Sequence, residues 1–157
     1  MTGPKITRDD MFEPLLEALP QFRPAWEKFI DEWTPKPGEY SDLPPGEYPN
    51  YLLLGDLAGY LCDLLEKDQT EDVVKTLAVA ERWLLEGEHY VHEAAIVGLL
   101  EDLQGYCQRR KIPEEKFLAL MGPEGQFWWN KLNGFWQKTD TLSDERKPPT
   151  THGYKPL

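Results

Sequence analysis

The chain has 157 residues and a net charge of −11, from 17 basic and 28 acidic side chains. Hydrophobic residues make up 40% of it and aromatic residues 12%, which is enough for one packed domain and excludes a wholly disordered chain. No apolar run is long enough for a transmembrane helix, and the first ten residues lack the apolar stretch of a secretory signal. The sequence therefore indicates a soluble, cytoplasmic protein.

The acidic charge is concentrated in the middle of the chain. Residues 39–102 contain 15 acidic and three basic side chains, whereas the residues after Asp102 carry a small positive charge. A negative field of this kind repels nucleic acid and anionic lipid and attracts basic proteins. The alternative is an acidic surface that only keeps the protein soluble. We therefore predict a protein partner, and neither a nucleic acid nor a membrane as partner.

Apolar residues recur at helical spacing from the start of the chain. A first helix is predicted to end near Leu19, with Asp9 or Asp10 as its N-cap. Pro24 is placed to open a second helix. The apolar stripe of this second helix consists of Trp26, Phe29, Ile30 and Trp33.

Helical periodicity resumes from Tyr51 to Lys67, and Thr70 is predicted to cap the next helix, which Gly87 ends. A long helix is then predicted from Glu88 to Arg110. The last two predicted helices are Pro113–Met121 and Glu124–Lys138. Consecutive helices joined by short turns predict an all-α fold, with antiparallel helical hairpins in a compact HEAT-like bundle. The predicted domain is 1–138, followed by a flexible, polar C-terminal tail at 139–157.

A proline-rich loop at residues 34–50 interrupts the helices, with five prolines and two glycines. It repeats Pro-Gly-Glu-Tyr at Pro37–Tyr40 and Pro45–Tyr48. Tyrosine offers contact area at low entropic cost and the adjacent carboxylate adds charge, although an idle connector with a chance repeat is an equal alternative. We predict that the partner binds this loop and nearby acidic residues. The predicted partner-binding residues are Glu39, Tyr40, Asp42, Glu47, Tyr48, Asp68, Glu71 and Asp72.

Residues with possible chemistry are few. His89 and His92 lie three apart on a predicted helix and could share a zinc ion, but a third ligand is missing and an exposed helix start explains them equally well. Cys62 and Cys107 have neither zinc-site nor disulfide spacing and are predicted to be reduced core thiols. The sequence has no phosphate-binding loop and no nucleophile elbow. We therefore predict no enzyme activity, no catalytic residue, no metal and no cofactor.

Three aspartates interrupt otherwise apolar helices: Asp56, Asp63 and Asp102. Buried polar side chains in helical proteins are usually hydrogen-bonded to a neighbouring element. We predict that each forms such a structural bond across a helix pair, with a functional role as the alternative.

Several segments together resemble a family of small, acidic, uncharacterised bacterial proteins. These segments are Leu52–Ala58, Glu86–Val91, Gly98–Gln104, Leu120–Pro123 and Trp129–Trp136. The most specific combination is GLLEDLQ at Gly98–Gln104 with the terminal W-x-x-L-x-x-F-W, and the resemblance extends over about 11–136. It implies a helical, HEAT-like domain without known catalysis. Such proteins are similar in kind to the immunity proteins that accompany bacterial polymorphic toxins, which is an analogy at the level of the whole protein.

The resemblance and the charge together lead to a functional hypothesis. We predict a cytoplasmic immunity-type protein that binds and neutralises a cognate bacterial toxin through its acidic surface, with a basic toxin domain as partner. The alternative is a helical interaction or adaptor module in a cellular protein complex.

Overall fold

The computed structural model describes residues 5–138 and 141–146. The α-helices are α1 (Phe12–Ala18), α2 (Arg23–Trp33), α3 (Asn50–Glu66), α4 (Thr70–Glu86), α5 (His89–Glu93), α6 (Glu101–Arg110), α7 (Glu115–Leu118) and α8 (Pro123–Trp136). Among the described residues there is no strand, only one isolated β-bridge, so the predicted all-α class is confirmed. None of these helices is long and apolar enough to cross a membrane. The remaining parts of the predicted domain and tail, 1–4, 139–140 and 147–157, lie outside the described residues.

Helices α5 and α6 are the two ends of one continuous helix. Between them, Ala94–Leu100 is a π-helical segment, in which each backbone hydrogen bond spans one residue more than in an α-helix. All of its residues except Val97 are buried. The predicted extent of the helix from Glu88 to Arg110 is therefore confirmed, but its winding is not α-helical throughout.

Helix α3 packs along this continuous helix and forms the centre of the core. Its apolar residues recur at helical spacing, so that one broad face is removed from water. The buried apolar side chains of α3 are Leu53, Leu54, Leu57, Ala58, Leu61, Cys62 and Leu64. Cys62 and Cys107 of α6 are buried and free, as predicted for core thiols. Burial raises the pKa of Cys62 to about 11 and that of Cys107 to about 12.

Three tryptophans from α4 and α8 fill another part of the core: Trp83, Trp128 and Trp129 are at most 2% exposed. The indole N–H of Trp83 donates to the backbone carbonyl of Met11 at 2.8 Å and ties α4 to the start of α1. Helix α4 also caps α8, because the Glu81 carboxylate accepts the backbone N–H groups of Glu124 and Gly125, each at 2.8 Å.

The N-terminal segment is fixed by the turn between α4 and α5. The N–H of Ile6 donates to the carbonyl of Glu86 at 2.8 Å, and the carbonyl of Ile6 accepts the N–H of Glu88 at 2.9 Å. These two bonds form the isolated bridge between Ile6 and Gly87. Gly87 ends α4 as predicted.

Two predicted helix caps are wrong. Helix α1 begins after Met11 without a side-chain cap, and the Asp10 carboxylate instead accepts a hydrogen bond from the Thr7 hydroxyl at 2.7 Å. Helix α4 has Gln69 as its N-cap, so Thr70 is already the first helical residue. In both places the backbone enters the helix without a capping side chain, which a cap preference alone does not reveal.

The described part of the predicted tail, residues 141–146, lies against α8. The Arg146 guanidinium donates two hydrogen bonds to the Glu124 carboxylate, each at 2.9 Å, and lies 3.6 Å from the centroid of the Phe127 ring. The Lys131 ammonium, on a residue only 6% exposed, contacts Glu145 at 2.5 Å. Leu142 also packs against the apolar core. The other contacts are made by charged side chains, which hydrophobic periodicity does not detect.

Candidate functional site

Helix α2 is the least buried of the helices longer than ten residues. Only Phe29 is buried, whereas Trp26 and Ile30 are half-buried and Trp33 is 41% exposed. The preceding 3₁₀ turn contributes the buried Phe22, whose ring lies 5.7 Å from that of Tyr60 on α3. Helix α2 is thus attached mainly by Phe22 and Phe29, and a cleft opens along each of its two sides.

The first of these, the α2–α3 cleft, has a volume of about 740 Å³. One wall is formed by Phe22 of the 3₁₀ turn and the side of α2 that ends at Trp33, and the floor is the side of α3 that runs from Leu52 to Asp63. Eleven residues of α-helix correspond to a length of about 16 Å. The cleft is therefore long enough for about three turns of a helix from another protein.

Gly59 shapes the floor of the α2–α3 cleft. A Cβ atom at Gly59 would lie only 2.9 Å from the phenol oxygen of Tyr106, so a larger residue would displace that ring. With glycine there, Tyr106 of α6 lies directly over α3 and closes the side of the cleft opposite α2.

Some carboxylates in and beside the α2–α3 cleft have an ion-pair partner among the described residues and one has none. Arg110 donates to Asp63 at 2.7 Å and to Glu66 at 3.1 Å, and these hydrogen bonds raise the pKa of Arg110. Asp56 lies midway along the floor and makes no hydrogen bond or ion pair within the described residues. The predicted structural bond is confirmed for Asp63, but neither Asp56 nor Asp102 makes such a bond within the described residues. Asp56 is therefore an acidic group that a partner can reach.

Two exposed apolar side chains flank the cleft near its loop end. Trp33 on α2 is 41% exposed and Leu52 on α3 is 55% exposed, and both line the cleft. Trp33 belongs to the predicted apolar stripe of α2, but it is the last residue of the helix and extends beyond the part that Phe29 holds against the core. Leu52 was missed because it lies beside the main apolar face of α3. The only feature of the sequence that could have identified Leu52 is its position next to that face.

The two Pro-Gly-Glu-Tyr repeats form two turns of the same kind. Gly38 and Gly46 have φ angles of +87° and +80°, a backbone region that favours glycine. Each follows a proline, and each turn is closed by a bond from the next N–H, of Glu39 to the Lys36 carbonyl and of Glu47 to the Pro44 carbonyl. Proline followed by such a glycine is the pattern of a type II turn. The repeat therefore has a local structural cause.

The two tyrosines of the repeats have different environments. Tyr40 is 89% exposed. Tyr48 is half-buried, its hydroxyl lies 2.9 Å from that of Thr34, and its ring lies 6.1 Å from that of Phe29. Tyr48 therefore fastens the loop to α2, whereas Tyr40 is free to contact a partner.

The remaining predicted site residues fall into two groups. Glu39, Asp42 and Glu47 are exposed in the loop before α3. Asp68, Glu71 and Asp72 follow the other end of α3, about 25 Å away along a helix of 17 residues. In this second group, the Asp72 carboxylate accepts a hydrogen bond from Gln21 at 3.1 Å. The eight predicted residues do not form one cluster, but the α2–α3 cleft runs between their two groups.

The two histidines of the possible metal cluster have separate partners. A ring nitrogen of His89 lies 3.1 Å from the Glu93 carboxylate, and Nδ1 of His92 lies 2.9 Å from the carbonyl of Leu84. The described residues contain no group of three or more side chains that could hold a metal ion.

Segments of the resemblance meet at a cleft of about 600 Å³ beside α6. The side-chain amide of Gln104 donates to the carbonyl of Trp129 at 2.9 Å and joins α6 to α8. Asp102 lies on the same cleft, with its carboxylate against Gly55 of α3, and burial raises its pKa. These contacts give the residues a packing role between helices.

Comparison with known proteins gives one match. A family model described as "Domain of unknown function (DUF7674)" matches residues 12–137. No curated protein and no solved structure matches the chain. The matched segment begins at α1, ends just after α8 and includes all residues that line the α2–α3 cleft. Since the match covers most of the sequence, the chain belongs to the DUF7674 family.

Proposed function

We propose that this protein binds another protein, and that the α2–α3 cleft receives a basic, amphipathic helix of that partner. One observation carries the proposal: Trp33 of α2 and Leu52 of α3 both expose apolar surface in a cleft whose floor presents the unpaired Asp56. Interface centres commonly combine exposed aromatic anchors with a few charged groups. A helix with an apolar stripe and a lysine or arginine would match both features.

Charge supports a basic partner over an acidic one. The chain carries a net charge of −11, and acidic residues dominate the segment that contains α3 and α4. The loop residues Glu39, Asp42 and Glu47 extend the negative surface beyond one end of the cleft. Such a field accelerates the encounter with a positively charged surface and weakens as salt is added.

The exposed Tyr40 offers a second contact surface for the same partner. It lies seven residues after Trp33, on a loop whose turns are fixed by Gly38 and Gly46. A tyrosine held on an ordered loop can be buried by a partner at low entropic cost. We propose that Tyr40 contacts the part of the partner that lies beyond the cleft.

An immunity-type inhibitor in the cytoplasm, which occupies the basic surface of a toxin domain, is the specific form of this proposal. It is supported by the acidic charge and by the analogy with immunity proteins. An adaptor in a cellular complex is the second form, for which the same cleft would serve. The two differ in one testable respect, because only the inhibitor protects a cell from a toxic product.

The test is co-expression with the product of the adjacent gene, followed by measurement of the binding of the purified pair. For Trp33→Ala and Leu52→Asp we expect Kd to rise at least about tenfold, because anchors at the centre of an interface carry much of the affinity. For Asp56→Lys we expect a lower on-rate and a weaker dependence on salt. Protection of the cells by the wild type, with loss in these variants, supports the inhibitor.

Leu85→Asp and Asp31→Lys are the matched controls. Leu85 is a 64% exposed leucine of α4, and Asp31 is an exposed acid of α2 that lines neither cleft. Both controls should bind like the wild type. If cleft variants that keep the wild-type circular dichroism also keep the wild-type affinity, the cleft is not the binding site. Binding without toxicity or protection would favour the adaptor.

A further inference from the structure

The second opening beside α2, the α1–α2 cleft, plays no part in the protein-binding proposal. Its volume is about 640 Å³. Phe12 and Leu16 of α1 form one wall, and Trp26 and Ile30 of α2 form the other. Clefts of 300–1,000 Å³ with apolar and aromatic walls and a few polar groups are typical of small-molecule sites.

Asn50 places a side-chain carboxamide in this cleft. It is the first residue of α3 and is only 7% exposed. Its backbone N–H donates to the carbonyl of Tyr48 at 2.8 Å, but its carboxamide makes no hydrogen bond within the described residues. The carboxamide lines the cleft, so a ligand in the cleft can form hydrogen bonds with it.

The charges around the cleft argue against an anionic ligand. Asp9, Glu13 and Glu17 line the α1 side, and Arg23 lies on the α2 side. Arg8 is already engaged, since its guanidinium donates to the Tyr48 carbonyl at 3.0 Å and lies 4.2 Å from the centroid of the Tyr90 ring. An anionic ligand would meet these three carboxylates at the opening.

We propose that the α1–α2 cleft binds a small, uncharged, planar ring compound that carries an amide, and that this amide pairs with the Asn50 carboxamide. A carboxamide offers one acceptor and two donors, so an amide edge can both donate to it and accept from it. Phe12, Trp26 and Tyr48 supply aromatic surface for the ring. The site is independent of the α2–α3 cleft.

Benzamide, which has a planar ring and a primary amide, is the probe for this site. Titration of the full-length protein should give a Kd in the millimolar range, as expected for so small a ligand. Methyl benzoate has a similar shape but no N–H donor, and it should bind about tenfold more weakly. Equal binding of the two compounds would overturn the proposed pairing.

Two variants locate the binding. Asn50→Leu removes the amide at similar volume and should abolish the preference for benzamide, whereas Asn130→Leu, at an exposed position of α8, should leave it unchanged. Trp26→Ala changes a half-buried wall residue outside the central core and should weaken the binding of both compounds. This variant still tests the site if Asn50→Leu does not fold. No binding of benzamide by the wild type would overturn the proposal.

A last comparison separates this site from the protein-binding proposal. Trp33→Ala and Leu52→Asp should bind benzamide like the wild type, because neither residue lines the α1–α2 cleft. If instead benzamide fails to bind and Asn50→Leu lowers the affinity for the protein partner, the cleft receives a side chain of that partner. That result would replace the small-molecule site.

Discussion

Helices α4 and α2 carry the same kind of apolar stripe in the sequence, yet only α4 buries it. Trp83 of α4 is fully buried, whereas Trp33 of α2 is 41% exposed. Helix α4 is covered by α1, α5 and α8, while α2 is held mainly through the adjoining 3₁₀ turn and Phe29. The number of neighbouring elements, rather than the local pattern, decides which stripe becomes core and which stays available for binding.

The largest difference in stability should be between variants of the two tryptophans. Trp83→Ala removes a fully buried side chain and its bond to the Met11 carbonyl, and should lower the free energy of unfolding by about 3–5 kcal/mol. Trp33→Ala should cost less than about 1 kcal/mol, because much of its surface is already in water. Urea unfolding measures both. Equal losses would mean that α2 is packed as firmly as α4.

A smaller effect should separate two glutamates. Glu81→Ala removes the carboxylate that accepts two N–H groups at the start of α8, and should cost about 1–2 kcal/mol. Glu27→Ala, at an exposed position of α2, should change stability by less than about 0.5 kcal/mol. The thermal midpoints of the two variants give the comparison. An unchanged midpoint for Glu81→Ala would show that water caps α8 equally well.

The stability lost on replacing two arginines should differ by a smaller amount. Arg146→Ala removes a bidentate pair with Glu124 and the contact with the Phe127 ring, and should cost about 1 kcal/mol. Arg23→Ala, for which no ion pair is present within the described residues, should cost less than about 0.5 kcal/mol. Differential scanning calorimetry at low salt is suitable. If the stability of Arg146→Ala equals that of the wild type, the described part of the tail does not stabilise the domain.

The smallest effect concerns the pH dependence that Asp102 confers. Burial raises its pKa in the folded protein, so the folded state holds a proton more tightly than the unfolded state. Stability from this group therefore falls as pH rises from the unfolded pKa through the raised folded pKa. Asp102→Asn should be more stable than the wild type at pH 7, by less than about 0.5 kcal/mol. The difference should vanish at low pH, and Glu101→Gln should follow the same sign.

The helices could be predicted because their apolar residues repeat every three to four positions. Tyr51–Lys67 was predicted as helix and Asn50–Glu66 was found, and Gly87 ends α4 as expected. The π-helical segment Ala94–Leu100 could not be predicted, since its residues are almost uniformly apolar and carry no signal for the winding. The HEAT-like arrangement of hairpins stays a prediction.

The candidate site was only partly accessible to sequence reasoning. Tyr40 and Tyr48 occur in identical tetrapeptides, yet one is exposed and the other is fastened to α2, because their tertiary neighbours differ. Asp56 and Asp63 likewise occupy similar positions on α3, but only Asp63 has an arginine opposite. Local sequence identifies residue types that suit binding. Which of them remains unpaired depends on the packing of distant segments.

The bridge between Ile6 and Gly87 has a consequence for the order of folding. Its two hydrogen bonds join segments about eighty residues apart, so they close a long loop for a small gain in contacts. Helices α3 and α4 can pair with much shorter loops and have no need of this bridge. The N-terminal segment should therefore dock after α4 and the turn that follows it have formed, and it should be among the first parts to detach when the native protein fluctuates.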